Sequence, residues 1–351
     1  MILSFIKENK SLVVDYCCGF KYRCKLAHRA AIGVAVFGVL YFTSLQAYGQ
    51  QPLTFNLYMF SPMILNPGYT GSHDVFTVTG QARKQWVGIP GSPASASISA
   101  STPLRKSQAA MGMYINSETF GVTTRTGTYF SYSYKIKLRP RTGGLNNRGR
   151  GQGIGTLAMG LSGGFDLRSS RWSDVTTSSP DIEDPEFAFD SGTMFEPNFG
   201  FGLFFYNEKY YGGFSVPRIL QYSDNPAERS TSLSARVGEM AYYLNGGVVL
   251  TLSNEVKLRP STMLKWIPHS TFQAEINTNI IFNEVFTIGL TYRTTKTALV
   301  LTRFYFNRQF SAGYSYEYAF GDLVGFNTGS HEFMIQYEFG FNVKTTNPRY
   351  F

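Results

Sequence analysis

The sequence predicts an all-β protein: a transmembrane antiparallel β-barrel of about 14 strands, forming one domain and preceded by a cleaved signal peptide. Three observations predict it. Charged residues make up only 16% of the 351-residue chain, against a usual share of about 25%, while aromatics also reach 16%. Hydrophobicity alternates with period 2 through most of the chain, with Tyr and Phe on one face of each strand and Gly, Ser, Thr and Asn on the other. The connections between the expected strands alternate between short and long, as they do when a barrel has one inner and one outer end.

Taken in order, residues 1–49 read as an N-terminal extension and signal peptide. Lys21, Arg23, Lys25 and Arg29 precede an apolar run from Ala30 to about Leu45, and Ala47, Tyr48 and Gly49 supply a cleavage site near Gly49/Gln50. At roughly 16 residues the run is short for a membrane span, which takes about 20. The 20 residues ahead of the basic segment fit a start codon placed too early. Cys17, Cys18 and Cys24 all lie upstream of the cut, so the mature chain has no thiol with which to build a disulfide framework or a Cys-ligated metal site. Residues 1–49 also carry six Lys/Arg and two Asp/Glu. The mature chain keeps 26 against 21, a net charge of +5, too mild for a nucleic-acid signature.

Residues 50–73 contain "LYMFSPMILNPGYTGS". Its prolines exclude a regular helix and a central strand. It is expected on the periplasmic side of the first strand, folded against the barrel wall or base as a plug that narrows the pore. The barrel is expected over 74–341, with strands near 74–83, 93–103, 108–117, 121–138, 152–167, 195–207, 209–217, 239–252, 255–267, 271–282, 284–294, 297–306, 309–320 and 331–341. The pattern is plainest in "QFSAGYSYEYAF", where Phe310, Ala312, Tyr314, Tyr316, Tyr318 and Phe320 share a face opposite Ser311, Gly313, Ser315 and Glu317. "TYFSYSYKIKL" and "EFMIQYEFGF" repeat it. A soluble sandwich would carry Lys and Glu opposite its apolar face. The small residues here suit a crowded lumen, and the aromatics near strand ends suit interfacial girdles. Lumen-facing Lys135, Lys137, Glu317 and Glu338 are expected to form ion pairs across a solvated interior. Turns after even strands are short ("LRKS", Glu208, "SN", Asn283, "NR") apart from the basic 139–151 segment. Turns after odd strands include the long 168–194 and 218–238. The basic turn and the acidic run from Asp174 to Asp190 read as solvated loops, or as contacts for a partner or a weakly held Ca²⁺. Residues 342–351 form a tail.

Catalytic signatures are missing. His73, His269 and His331 are far apart, and there is no HExxH, GxSxG or P-loop pattern. No cofactor or metal site is expected, and the chain reads as a non-enzyme. A passive diffusion porin and a barrel hydrolase with a Ser/His/Asp site assembled across strands stay open as alternatives.

Tyr58, Met59, Phe60 and Pro62, then Asn66, Pro67, Tyr69, Gly71 and Ser72, then Gln85, Trp86, Gly88 and Pro93 fall in the order Tyr-Met-Phe-x-Pro, Asn-Pro-x-Tyr-x-Gly-Ser, Gln-Trp-x-Gly, Pro. With "GSHEFMIQY" (Gly329, Ser330, His331, Glu332 and onward) and the terminal "PRYF", this pattern resembles the PorP/SprF family of Bacteroidetes across essentially all of the mature chain. Gly68 and Thr70 depart from alanines common in the family. The resemblance implies an outer-membrane accessory barrel of type IX secretion and gliding motility, embedded in outer-membrane lipid and without nucleic-acid binding. Its partners would be a secreted or surface adhesin or enzyme with a type IX C-terminal signal domain, and periplasmic secretion components. The motif residues are the candidate partner contacts.

Overall fold

A computed structural model describes residues 55–104, 107–138, 154–174, 190–222, 240–268, 272–320, 325 and 327–340. The expected signal peptide, the basic 139–151 turn, most of both long outer connections, His269 and the expected C-terminal tail lie outside the described residues. Fourteen strands follow one another: β1 Phe76–Lys84, β2 Ala94–Pro103, β3 Ala109–Phe120, β4 Thr123–Leu138, β5 Gly155–Ser170, β6 Ser191–Tyr206 and β7 Tyr210–Val216. Then come β8, in two pieces (Tyr242–Val248 and Leu250–Thr251), β9 Val256–Trp266, β10 Phe272–Phe282, β11 Phe286–Arg293, β12 Thr297–Tyr305, β13 Phe310–Ala319 and β14 Ser330–Phe339. Each expected strand is present, with ends displaced by a few residues.

Every strand pairs antiparallel with its sequence neighbours, and β14 returns to β1 over Phe76↔Phe339 through Lys84↔His331. The ladder therefore closes and leaves no edge, which is what a sheet in hydrocarbon requires, because lipid offers no partner to an open N–H or C=O. β8 is split at Val249 with no shift of register, since Gly247↔Ser261 and Leu250↔Leu258 keep one ladder across the gap. Pro260 in β9 has no N–H to offer there, and Val249 N–H continues the ladder to the β7 side, on Lys209 O at 2.6 Å, with its side chain buried.

Alternation assigns the faces. On β4, Phe130, Tyr132 and Tyr134 are exposed while Ser131, Ser133 and Lys135 are buried. On β14, Phe333, Ile335, Tyr337 and Phe339 are exposed while Glu332, Met334, Gln336 and Glu338 are buried. A chain whose rings point outward and whose carboxylates point inward is inverted relative to a water-soluble protein. Aromatics pair near the end where β1 begins, the base: Phe76 with Phe339, Phe282 with Phe286, Phe306 with Phe310 and Phe205 with Tyr210.

The base turns are tight for local reasons. Asn207 Oδ1 accepts the N–H groups of Lys209 and Tyr210, and Asn307 Oδ1 those of Gln309 and Phe310, all at 2.8 Å. Asn283 and Glu284 both take positive φ, the geometry of a two-residue hairpin turn. The opposite end, the rim, carries the 85–93 turn and the long 171–190 and 217–241 connections.

Candidate functional site

Inside the ring, residues 55–72 fill the lumen. All but Ile64 and Leu65 are buried. The segment forms three single 3-10 turns, Tyr58–Phe60, Pro62–Ile64 and Pro67–Tyr69. Pro62 and Pro67 each open a turn, where a missing N–H costs nothing. Asn66 caps the third by accepting Gly68 N–H at 2.8 Å.

Its partners sit on the inward faces of strands all round the barrel, so it lies within the ring. At its start, Glu332 of β14 accepts two successive backbone N–H groups, Asn56 at 2.7 Å and Leu57 at 2.9 Å. Arg293 of β11 donates to Asn56 Oδ1 at 3.2 Å. Phe60 stacks under the Arg259 and Arg303 guanidinium groups, 5.2 and 4.8 Å from the ring centre. Further on, Asn66 Nδ2 donates to Leu203 O at 2.9 Å, Ser133 Oγ to Gly68 O at 3.3 Å, and Lys135 Nζ to Gly71 O. At the base, Lys135 pairs with Asp74 at 3.3 Å. There His73 bridges Tyr69 Oη (3.0 Å) and Glu338 (3.4 Å).

Two apolar groups of wall residues receive the segment. Leu57, Tyr58, Met59 and Phe60 pack with Tyr243, Met263, Leu301 and Met334. Met63 and Tyr69 pack with Tyr114, Tyr129, Phe204 and Val249. Close approach also needs glycine. A Cβ on Gly160 would fall within 3 Å of the Pro67 and Gly68 backbone, and one on Gly202 within 3 Å of Asn66 and Pro67.

A chain of ion pairs fastens the same region to the barrel seam. Arg293 meets Glu275 at 2.9 Å and Glu317 at 3.5 Å; Arg83 meets Glu317 at 2.7 Å and Glu332 at 3.9 Å. A second group lies toward the rim. Asp166 accepts from Tyr129 Oη at 2.8 Å and from Arg218 at 3.3 Å, and Glu196 accepts from Arg125 at 3.3 Å. Arg218 belongs to a limb after β7 that turns inward, where Asn198 Oδ1 holds the N–H groups of Ile219 and Leu220, each at 3.0 Å.

The motif residues named from the sequence converge. Tyr58, Met59, Phe60, Pro62, Asn66, Pro67, Tyr69, Gly71 and Ser72 are in the lumen. Gln85, Trp86 and Gly88 form the rim turn above β1, next to the start of β14. Val87 N–H donates to Gly329 O at 2.9 Å and Trp86 N–H to Ser330 Oγ at 3.2 Å. His331 packs between Tyr314 and Tyr316, with Nδ1 2.7 Å from Tyr314 Oη. One residue on, Glu332 turns inward to the segment. The seam thus joins three stretches that are far apart in the sequence.

Two expectations need correction. Lys137 is exposed at the base end of β4 and is not in the lumen. Lys135 and Glu317 do form ion pairs, but as buried groups, and Glu338, also buried, lies 3.4 Å from the His73 ring; Lys135 and Glu338 thus reach residues that lead into β1. Sequence reasoning missed Arg83, Arg259, Glu275, Arg293 and Arg303. Arg83, Glu275 and Arg293 stand in phase with polar or small residues in their strands, as in Thr77, Thr79, Gln81, Arg83, whereas Arg303 follows Leu299 and Leu301. Among the described residues no group of three His, Cys, Asp or Glu is placed to hold a metal ion.

The family model for the type IX secretion system membrane protein PorP/SprF matches residues 47–337. No curated protein matches the chain. Solved structures that resemble it include the Acinetobacter baumannii outer membrane protein Omp33, at 6% identity over 77% of this chain and 100% of that one, TM-score 0.42. The KdgM porin resembles it at 10% identity over 75% and 99%, TM-score 0.33. The TodX deltaS2S3 mutant monoaromatic hydrocarbon channel does so at 10% identity over 84% and 96%, TM-score 0.42.

Proposed function

The chain belongs to the PorP/SprF family of type IX secretion system membrane proteins, and we propose that it is a sealed, non-enzymatic barrel of the outer membrane that serves a partner protein. The partner is a secreted or surface adhesin or enzyme with a type IX C-terminal signal domain, which the barrel helps to export or attach. Periplasmic secretion components meet the barrel from its base. Residues 50–73 act as the plug.

One observation carries this reading: the double backbone clamp from Glu332 to Asn56 and Leu57, at the head of a segment that fills the lumen. A diffusion porin needs a continuous wet path. Here the two apolar wall groups close on the segment from both sides. What remains for function is the outer wall, the rim and the base, which are surfaces for contact. The passive porin is the weaker reading on this ground. A hydrolase is weaker again, since His73, the histidine at the foot of the lumen, is taken up between Tyr69 of the segment and Glu338 of the wall.

The test is a pull-down from detergent-solubilised outer membranes joined to a conductance measurement on the same preparation. Recovery of a protein with a type IX C-terminal domain, or of a periplasmic secretion component, with a closed barrel supports the proposal. Recovery of a lone barrel with steady open-pore current refutes it.

A further inference from the structure

We propose that the outer wall at β11–β13 holds one phosphorylated lipid of the outer leaflet, with an acyl chain in a groove over Ala298 and the phosphate at Lys296. The site is on the lipid-facing side of the barrel and does not rest on the partner role proposed above.

The strand register builds the groove. Ala298 of β12 lies opposite Tyr292 of β11 on one side and Tyr318 of β13 on the other. One outward position nearer the base, Val300 lies between Leu290 and Tyr316. All six side chains point away from the lumen, because the alternate residues Thr291, Leu299 and Glu317 are buried. A methyl group between two tyrosine rings leaves a dip in the wall, and the six residues line a cavity of about 510 Å³. The row Met111, Tyr132, Leu161 across β3–β5 is by contrast bulky throughout. The groove walls are held in place. Tyr316 Oη donates to Thr328 O at 2.9 Å, and the Tyr318 ring meets Phe320 edge-on with 5.2 Å between centres. A recess left empty forfeits contacts with its lining, and water is disfavoured on so apolar a surface. An acyl chain of the surrounding lipid fills it.

The cation above the groove makes the site selective. Lys296 is exposed in the rim turn between β11 and β12 and stands one outward position above Ala298, about 7 Å up the strand at 3.3 Å per residue. Phe320 N–H donates to Lys296 O at 2.7 Å, which ties the turn to the end of β13. Phe304, at the base end of β12, is eight residues below Lys296, about 26 Å along the strand. At a tilt near 40° this is about 20 Å across the membrane, and the apolar band of an outer-membrane barrel is about 25 Å tall. Lys296 therefore stands at headgroup level, with the Tyr292 and Tyr318 rings just beneath it. No outward residue of these rows is acidic: Thr294 and Phe320 flank Lys296, while Glu275 and Glu317 face inward and pair with Arg293. A cation poised over an apolar groove fits a ligand with an anionic head and a hydrocarbon tail. The rim is the end with the long connections, which in outer-membrane barrels is the outer end, so the ligand is the phosphate-bearing lipid of the outer leaflet, of the lipid A type.

The test is native mass spectrometry of the intact barrel released from nanodiscs of phosphatidylcholine doped with equal amounts of lipid A and phosphatidylglycerol. The parent is expected to carry one lipid A. Lys296→Gln is expected to lower the loaded fraction about fivefold, the effect of one cation at an anionic membrane surface. Ala298→Leu, which fills the dip and keeps the face apolar, is expected to abolish loading. Ala96→Leu, the same change at an exposed outward position of β2, is expected to match the parent. Each variant is first checked for compact migration on unheated gels, and Ala298→Val replaces Ala298→Leu should that barrel not form. A parent that carries no lipid A, or carries phosphatidylglycerol equally well, overturns the proposal. So does lipid A retained at the parental level by Ala298→Leu or by Lys296→Gln. A two-chain species that Ala298→Leu dissociates assigns the groove to a second copy of the chain and overturns it as well. None of these outcomes depends on whether a secreted partner is recovered.

Discussion

Replacing Gly160 by alanine tests the seal with a single methyl group. Gly160 faces inward on β5, and a Cβ there lands within 3 Å of the backbone of Pro67 and Gly68. Carbon atoms rest at about 3.5–4.0 Å, so the two backbones have to part by roughly 1.3–1.8 Å from the 2.2 Å at which that Cβ would meet the Pro67 carbonyl carbon. The β5 backbone is pinned on both sides, through Gly160↔Ser133 and Gly160↔Gly202. The threaded segment is held near this point by side chains, Asn66 to Leu203 and Ser133 to Gly68, and is the part that yields. Overpacking of this kind costs about 1–3 kcal/mol. Gly163→Ala, three residues along the same strand, supplies the control. Its Cβ points outward and meets only the Phe199 ring at 3.4 Å, and it makes the same change in backbone entropy. The assay is paired: single-channel conductance in planar bilayers, and the temperature at which the barrel loses its compact migration on unheated gels. Gly160→Ala is expected to melt earlier and to show current or current flicker, and Gly163→Ala to match the parent. Identical melting and a silent, parent-like bilayer for Gly160→Ala would refute the claim that the segment occupies the lumen at this wall.

Glu332→Gln keeps the shape but removes the charge that accepts two N–H groups. With charge-assisted bonds worth about 1.5–3 kcal/mol each, it should speed proteolysis near residues 55–60 in detergent without unfolding the barrel. Phe60→Ala withdraws a ring shared by Arg259 and Arg303. It should cost about 3–5 kcal/mol, read as a drop in the urea midpoint of refolding into vesicles. Leu161→Arg sets a cation on the lipid-facing side, where Leu161 is 62% exposed. It should lose about 2–4 kcal/mol of insertion free energy, whereas Ser162→Ala on the other face should insert like the parent.

The fold was legible because one face of each strand meets lipid and must be apolar whatever the lumen contains. Alternation at Phe130, Tyr132 and Tyr134 is therefore a direct trace of the bilayer. The site was harder to read. Small lining residues such as Gly160, Gly202 and Ser133 suit any crowded lumen and do not say what crowds it; the occupant is residues 55–72 of the same chain. A better signal was available: places where alternation fails because both faces are apolar. Leu299, Val300 and Leu301 run together, as do Leu203, Phe204 and Phe205, and Met334 interrupts the polar phase of β14. Leu299, Leu301, Phe204 and Met334 are almost fully buried, and all but Leu299 belong to the two apolar groups that grip the segment. In a wet channel such residues would have nothing to touch. The ion pairs could not be located this way. Arg83, Glu317 and Glu332 meet only because β13, β14 and β1 become neighbours when the ring closes, a relation spread over about 250 residues of sequence.

The same clamp bears on whether the barrel could open by itself. Withdrawing Asn56 and Leu57 strips Glu332 of two donors in a site that water does not reach, which costs about 3–6 kcal/mol for those two bonds alone. At 1.4 kcal/mol per decade, a state lacking only these bonds would hold roughly one molecule in 10² to 10⁴. Losing the Phe60 stack and the Asn66 bond as well makes full release rarer still. Thermal opening therefore supports no steady flux. A partner that emptied the lumen would need to prefer the open form by the same free energy, with backbone donors of its own to offer Glu332. A partner bound to the outer wall, rim or base faces no such cost. Contact surfaces outside the lumen are thus the energetically accessible route to function for this barrel, and a conductance trace that stays closed with a secreted partner bound is the result this argument requires.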